Sequence, residues 1–229
     1  MNLVFDVGNT CTKIAFFEGW EKKESFRTKQ FSWDRIQKIC APYEHEVNRV
    51  IISTVRELPE YIIDLATLGI EDVHLLSHQT KLPFKIEYET PETLGPDRIA
   101  ALAGAFYHFP GEKILIIDAG SAMTIDFLSR KTFKGGNISP GLSMRFKALH
   151  KFSARLPLAA TTEKYTSPGR NTHEAITAGV INGLIYEINE YIRTFQNKYV
   201  NLKVILTGGD SGYLKKKINH KVTSVSYTH

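Results

Sequence analysis

A chain of 229 residues that is 42% hydrophobic can bury a full core, either as one large domain or as two small lobes. No run of 18 apolar residues is present, and the amino terminus opens on a strand-like run carrying Asp6, so no membrane span or signal peptide is expected and the setting is read as cytoplasmic. A net charge of +5 could suggest nucleic acid, but the lysines and arginines are spread among acids, and no nucleic-acid partner is expected. In chain order, the first half reads as strands at Asn2 to Asp6, Thr12 to Phe17 and about Glu24 to Lys29, then a helix near Trp33 to Ala41. A strand at Arg49 to Val55, a helix at Pro59 to Leu68 and a strand at Val73 to Leu76 follow. The second half restarts with strands at Lys113 to Asp118, Met123 to Leu128 and Thr132 to Ile138. Its longest helix runs from Asn171 or Thr172 to about Asn197, with Ile176, Val180, Ile181, Leu184, Ile185, Ile188, Ile192 and Phe195 in helical period. Strands at Val204 to Thr207 and Val222 to Tyr227 close the chain.

The chain repeats itself. Leu3-Val4-Phe5-Asp6-Val7-Gly8-Asn9-Thr10 is echoed by Ile116-Ile117-Asp118-Ala119-Gly120-Ser121-Ala122-Met123-Thr124, with the aspartates 112 residues apart, about half the chain. In each copy a β-rich run ends in Asp, glycine follows within two residues, and a second β-rich run begins, which is the pattern of a hairpin. One Asp-x-Gly is an ordinary turn. Two copies point to two equivalent units, and a carboxylate at the same place in each suggests a cation and a polyphosphate held by paired loops. The divisions expected are 1–112 and 113–229.

Cys11 and Cys40 form no C-x-x-C pair and are read as reduced, Cys11 as a small buried residue. The histidines show neither H-E-x-x-H nor a zinc spacing, and G-x-x-x-x-G-K-[ST] and G-x-G-x-x-G are both absent. Lys215-Lys216-Lys217, the one dense basic cluster, reads as a solvated helix face. Between the repeats, Leu94-Gly95-Pro96-Asp97-Arg98-Ile99 bends the chain and starts a helix with Asp97 in its first turn. From periodicity alone, Asp97 could be a functional carboxylate or simply stabilise the helix start beside a solvent-exposed Arg98. Gly135-Gly136-Asn137-Ile138-Ser139-Pro140-Gly141 reads as a loop opening another helix, suited to an anion or to an ordinary turn.

Taken together, Asp6-Val7-Gly8-Asn9-Thr10, Gly95-Pro96-Asp97-Arg98, Asp118-Ala119-Gly120-Ser121-Ala122, Gly135-Gly136-x-Ile138-x-Pro140-Gly141, Asn171-Thr172 and Thr207-Gly208-Gly209-Asp210 resemble type III pantothenate kinase. The resemblance implies an α/β fold of two related actin-like (ribonuclease H-like) lobes, mixed sheets covered by helices, with ATP in the cleft between them. It also implies transfer of the ATP γ-phosphoryl to the primary hydroxyl of pantothenate, the first step of coenzyme A synthesis. By position, Asp6, Val7, Gly8, Asn9, Thr10, Cys11, Thr12 and Lys13 match the first phosphate-binding segment, with Asp6 near Mg²⁺ and its waters. Asp118 matches a monovalent-cation ligand for K⁺ or NH₄⁺, and Ser121 stands where the second phosphate loop usually has Thr. Asp97 matches the catalytic base. Tyr88, Gly95, Pro96, Asp97, Arg98 and Thr172 match positions that hold pantothenate. A homodimer through the long helix is expected, since Ala178, Gly179 and Gly183 permit close approach and a two-fold pair is the commonest closed assembly, and the resemblance adds that Thr172 reaches pantothenate bound to the neighbouring subunit. Family members usually continue past the last strand into a final helix, so a shortened carboxyl end at His229 is expected. Another actin-like phosphotransferase, such as a sugar kinase or polyphosphate hydrolase, explains less of the motif set. A non-catalytic nucleotide-binding accessory protein on the same fold is separated from a kinase by measuring ADP release.

Overall fold

The computed structural model describes residues 1–29, 32–43, 45–57, 70 and 72–224. The chain divides into two units: residues 1–82 with 89–103, and residues 83–88 with the described residues from 104 onward. The helix expected at Pro59 to Leu68 lies outside the described residues, as does the end of the strand expected at Val222 to Tyr227.

The first unit is built on a five-stranded sheet of order β3-β2-β1-β4-β5. Its strands are β1 (Asn2–Val7), β2 (Thr12–Glu18), β3 (Glu21–Thr28), β4 (Arg49–Thr54) and β5 (Asp72–Leu75). The meander β1-β2-β3 is antiparallel, whereas β4 and β5 are added in parallel beside β1. Alternation along β1 and β2 sends Leu3, Phe5, Val7, Ile14 and Phe16 into the core, where Ile36 and Cys40 of α1 (Trp33–Cys40) meet them. Asp6 and Lys13 therefore lie on the opposite face. Burial pushes the Cys40 thiol up to about 11, so this cysteine is a packing residue rather than a nucleophile.

The second unit repeats that topology. Its sheet has the order β11-β10-β7-β8-β9-β6, in which β7 (Lys113–Ala119), β8 (Ala122–Ser129) and β9 (Thr132–Pro140) form the antiparallel meander. β10 (Lys203–Thr207) and β11 (Thr223–Ser224) are added in parallel beside β7, as β4 and β5 are beside β1. A short strand, β6 (Lys85–Ile86), extends the β9 edge and was not legible in the sequence. Below this sheet pack α3 (Leu142–Phe152) and the 27-residue α4 (Thr172–Lys198), whose Ile176, Val180, Ile181, Leu184, Ile188 and Ile192 join the core. α2 (Pro96–His108) begins in the first unit and continues into the second.

Two sequence expectations need correction. Gly135 and Gly136 belong to β9, as the strand read at Thr132 to Ile138 has it, and not to the loop also read from Gly135 onward: Gly135 takes a φ of 104° where the β8–β9 register shifts between Asp126 and Leu128, a bulge that a residue with a Cβ fits poorly. Only Gly141 stands at a helix start, as the N-cap of α3. The solvated helix face read at Lys215 to Lys217 holds only in part, for the exposed Lys215 and Lys216 and not for Lys217. The short α5 (Ser211–Lys215) ends at the first lysine, and Lys217 lies over the rings of Tyr213 and Tyr165 at 4.9 and 5.4 Å.

Candidate active site

The first loop, Gly8 to Cys11, joins β1 and β2 and is closed by the Gly8 N–H donating to the Cys11 carbonyl at 3.1 Å. Asp6 stands opposite Lys13 in the antiparallel register and opposite Ser53 in the parallel one. The Lys13 ammonium donates to Asp6 Oδ2 at 3.2 Å, and both side chains keep about a third or less of their surface in solvent. A carboxylate, an ammonium and a tight glycine turn are thus presented together on the face away from the core. Arg27 of β3 donates from Nε to Cys11 Sγ at 3.1 Å, while Arg56, just past β4, donates from a terminal nitrogen to the Asn9 carbonyl. These two arginines belong to no sequence motif, and only the sheet register brings them to the loop.

Asp97 lies in the first turn of α2, after Gly95 and with Pro96 at the helix start, where a missing N–H costs nothing. Its Oδ1 accepts the Arg98 backbone N–H at 2.8 Å, and a Cβ on Gly95 would overlap that oxygen. The residue keeps a solvent-exposed surface, yet its carboxyl has dense protein around it. That burial raises its pKa above the ordinary carboxylate value, the Arg98 N–H opposes the rise, and the negative charge of Asp6 adds to it. Asp6 and Asp97 therefore belong to one electrostatic site. Arg98 is 5% exposed, which excludes the reading of a solvent-exposed arginine.

The second loop, Gly120-Ser121, is a tighter hairpin. Asp118 pairs with Thr124 on one side and Thr207 on the other, so it occupies the place in its sheet that Asp6 holds in the first. The hydroxyl residues on the two parallel neighbours, Ser53 and Thr207, are both buried. Two glycines press on this loop. Gly141 donates its N–H to the Ser121 carbonyl at 3.1 Å, and a Cβ there would overlap the Gly120 carbonyl oxygen. Gly208, at a φ of 94°, has no room for a Cβ against Asp118 Oδ1 and the Ala119 carbonyl, and Asp210 donates its N–H to that carbonyl at 3.0 Å. Gly208-Gly209-Asp210 is therefore built around the second aspartate, and burial raises the Asp210 pKa.

Tyr88 and Thr172 are placed by other elements of the second unit. The Tyr88 ring stacks on Phe133 of β9, with centroids 5.8 Å apart. Thr172 is the exposed first residue of α4. Its position is fixed by Asn171, whose side chain accepts from the Glu174 N–H at 2.9 Å, and by Glu174, which accepts from the Arg170 N–H at 2.8 Å. Gly169 packs so closely on the first turn that a Cβ would overlap Ala175 N. Among the described residues no group of three or more His, Cys, Asp or Glu could hold a metal ion by itself.

Residues 2–194 match the type III pantothenate kinase family. The chain belongs to the type III pantothenate kinase family. It is 45% identical over 212 residues to a type III pantothenate kinase of Bacteroides fragilis, covering 92% of this chain and 86% of the relative. It is 41% identical over 223 residues to that of Cytophaga hutchinsonii, covering 97% and 92%. Among solved structures, a Sinorhizobium meliloti protein assigned as a 2-dehydro-3-deoxygalactonokinase superposes with a TM-score of 0.58 at 13% identity, covering 99% of this chain and 94% of that one. At that identity the likeness speaks for the fold alone, which this pantothenate kinase family member shares with that protein. Membership and fold agree with what the repeated Asp-x-Gly pattern and the Gly-Pro-Asp-Arg segment imply.

Proposed function

We propose that the ATP-dependent phosphorylation of pantothenate, the reaction of this kinase family and the first step of coenzyme A synthesis, runs in this chain with Asp97 as general base. The observation that carries the assignment is the Asp97 carboxyl at a helix start, solvent-reachable and with its proton affinity raised by burial and by Asp6. A base whose pKa lies above the ordinary carboxylate value is better matched to a hydroxyl proton near neutral pH. Phosphoryl transfer asks mainly for alignment and charge neutralisation, and the other residues supply both.

Residues Asp6 to Lys13 form the ATP-binding segment, with the Gly8 turn bringing backbone N–H groups to the phosphates and Ser121 offering its hydroxyl from the second loop. Asp6 fits Mg²⁺, an ion that takes one or two carboxylates and completes its shell with phosphate oxygens and water, so no three-residue protein cage is needed. When bound, the ion neutralises charge on the phosphates. Asp118 fits a monovalent cation, K⁺ or NH₄⁺, through its carboxylate and the adjoining carbonyls of the hairpin. Pantothenate carries a carboxylate, and Arg98 with Gly95, Pro96, Tyr88 and Thr172 is assigned to hold it.

A homodimer is supported by the outward face of α4, where a Cβ on Gly179 or Gly183 would meet no atom within 4 Å and Tyr186 is largely exposed. Cytoplasmic residence is supported by Cys11 and Cys40, both buried and free of disulfide. The deciding experiment is ADP release with and without pantothenate, with the product identified by phosphorus NMR. Release that depends on pantothenate and yields its 4′-phosphate upholds the assignment; pantothenate-independent release, or none, overturns it.

A further inference from the structure

The electrostatics of the first loop are incomplete with its motif residues alone. Lys13 is the cation of the phosphate-binding segment, but its ammonium is 3.2 Å from Asp6, so the pair carries no net charge. A triphosphate brings about four negative charges, of which a bound Mg²⁺ would offset about two, and loops that hold the remainder usually meet it with net positive charge or with N–H donors. Two further cations stand at this loop. The cross-strand register Asp6–Lys13–Arg27 puts Arg27 on the same sheet face as the pair, and its Nε is anchored on Cys11 at 3.1 Å. Because β3 and β4 lie on opposite sides of the β1–β2 hairpin, Arg56 reaches the loop from the other flank and is anchored on the Asn9 carbonyl.

The placement of Arg56 is itself fixed. Its backbone N–H donates to Thr54 Oγ1 at 3.1 Å, the same hydroxyl donates to the Arg56 carbonyl at 2.7 Å, and Val55 N–H continues the ladder to the Val7 carbonyl at 3.1 Å. Among the described residues neither arginine is paired with a carboxylate. A guanidinium has five N–H donors in a planar fork, and each of these uses one on the loop. We propose that Arg27 and Arg56 bind the outer phosphates of the nucleotide, bracketing the first loop and supplying the positive charge that the neutralised Asp6–Lys13 pair does not. This rests on the kinase reading of the loop, but not on the role given to Asp97.

The test is steady-state kinetics of Arg27→Gln and Arg56→Gln, each alongside the Lys variant. It is paired with calorimetric titration of a non-hydrolysable ATP analogue and of AMP. Loss of a hydrogen bond to a charged group corresponds to about tenfold or more. Each Gln variant should raise the KM for ATP and the Kd for the analogue by roughly that factor, with the KM for pantothenate and the Kd for AMP unchanged. Lysine should restore part of the loss, since it returns the charge without the fork. Unchanged analogue affinity in both Gln variants would overturn the proposal. So would a loss shared equally by AMP, the analogue and pantothenate with a lowered Tm, which marks a purely structural role. The kinase reading fails separately, through wild-type protein that releases no ADP with pantothenate, and the analogue titration still decides the phosphate contacts in that case.

Discussion

The negative charge of Asp6 on β1 raises the proton affinity of the Asp97 carboxyl on α2, so the proposed magnesium ligand acts directly on the proposed base. A general base works only when deprotonated. Because burial and Asp6 both raise the Asp97 pKa, kcat/KM should fall on the acid side at a higher pH than for an ordinary carboxylate. Asp6→Asn should lower the rate and also move that acid limb to lower pH, since one of the two raising influences is gone. A pH profile of kcat/KM for both proteins checks this; an unmoved limb would detach Asp97 from the titration.

Asp97→Asn keeps the side-chain shape at the start of α2 and removes the base. Turnover should drop by ~10²- to 10⁴-fold while affinity for ATP and pantothenate stays near that of the wild type. Near-normal turnover in a folded variant would return Asp97 to the role of stabilising a helix terminus.

Activity should require Mg²⁺ and be higher in K⁺ or NH₄⁺ than in Na⁺, because Asp118 is assigned a monovalent cation that offsets charge on the transferring phosphoryl. Rates in buffers differing only in that salt provide the measurement. Equal rates in Na⁺ and K⁺ would remove the cation from Asp118.

Gly208→Ala places a Cβ against Asp118 Oδ1 and the Ala119 carbonyl at a φ that suits glycine. We expect a cost of roughly 1–3 kcal/mol in stability together with a loss of the monovalent-salt response. Thermal melts and the salt series on the same preparation separate the two effects, and an unaltered salt response would argue that the Asp118 carboxylate can move without consequence.

Gly183→Arg projects a long cation from the outward face of α4. If two copies meet there, light scattering should show monomers, and binding of pantothenate should weaken if Thr172 completes the acceptor site of the neighbouring copy. A fully active monomer would refute a shared site, whereas an active dimer would place the interface elsewhere.

Much of this architecture was legible because the chain states its plan twice. β1, β2, β7 and β8 are located to within a residue or two by Asp-x-Gly flanked by alternating or fully apolar runs, and α4 by eight apolar residues in helical period after Asn171. Asp97 was placed correctly in the first turn of α2 because Gly-Pro leaves few alternatives. What the sequence concealed depends on neighbours distant along the chain. Gly135 lies in the strand read at Thr132 to Ile138, but the bulge that needs its positive φ appears only when β8 pairs with it, β6 has two residues and no period of its own, and Lys217 acquires its aromatic partners only when Tyr165 is folded against α5. Arg27 and Arg56 carried no local signal at all, since a strand register and not a motif sets their distance from Cys11 and Asn9.

In each sheet the aspartate-bearing strand is flanked on both sides, β1 by β2 and β4, and β7 by β8 and β10. Opening of a protein proceeds in pieces, and edge strands exchange their amide hydrogens well before central ones. Peeling away β3 or β5, or β11 at the other sheet's margin, leaves Asp6 and Asp118 still hydrogen-bonded between two neighbours. The two carboxylates thus reside in what should be the slowest-exchanging strands of the chain, and partial unfolding at the margins can proceed without dissolving either of them.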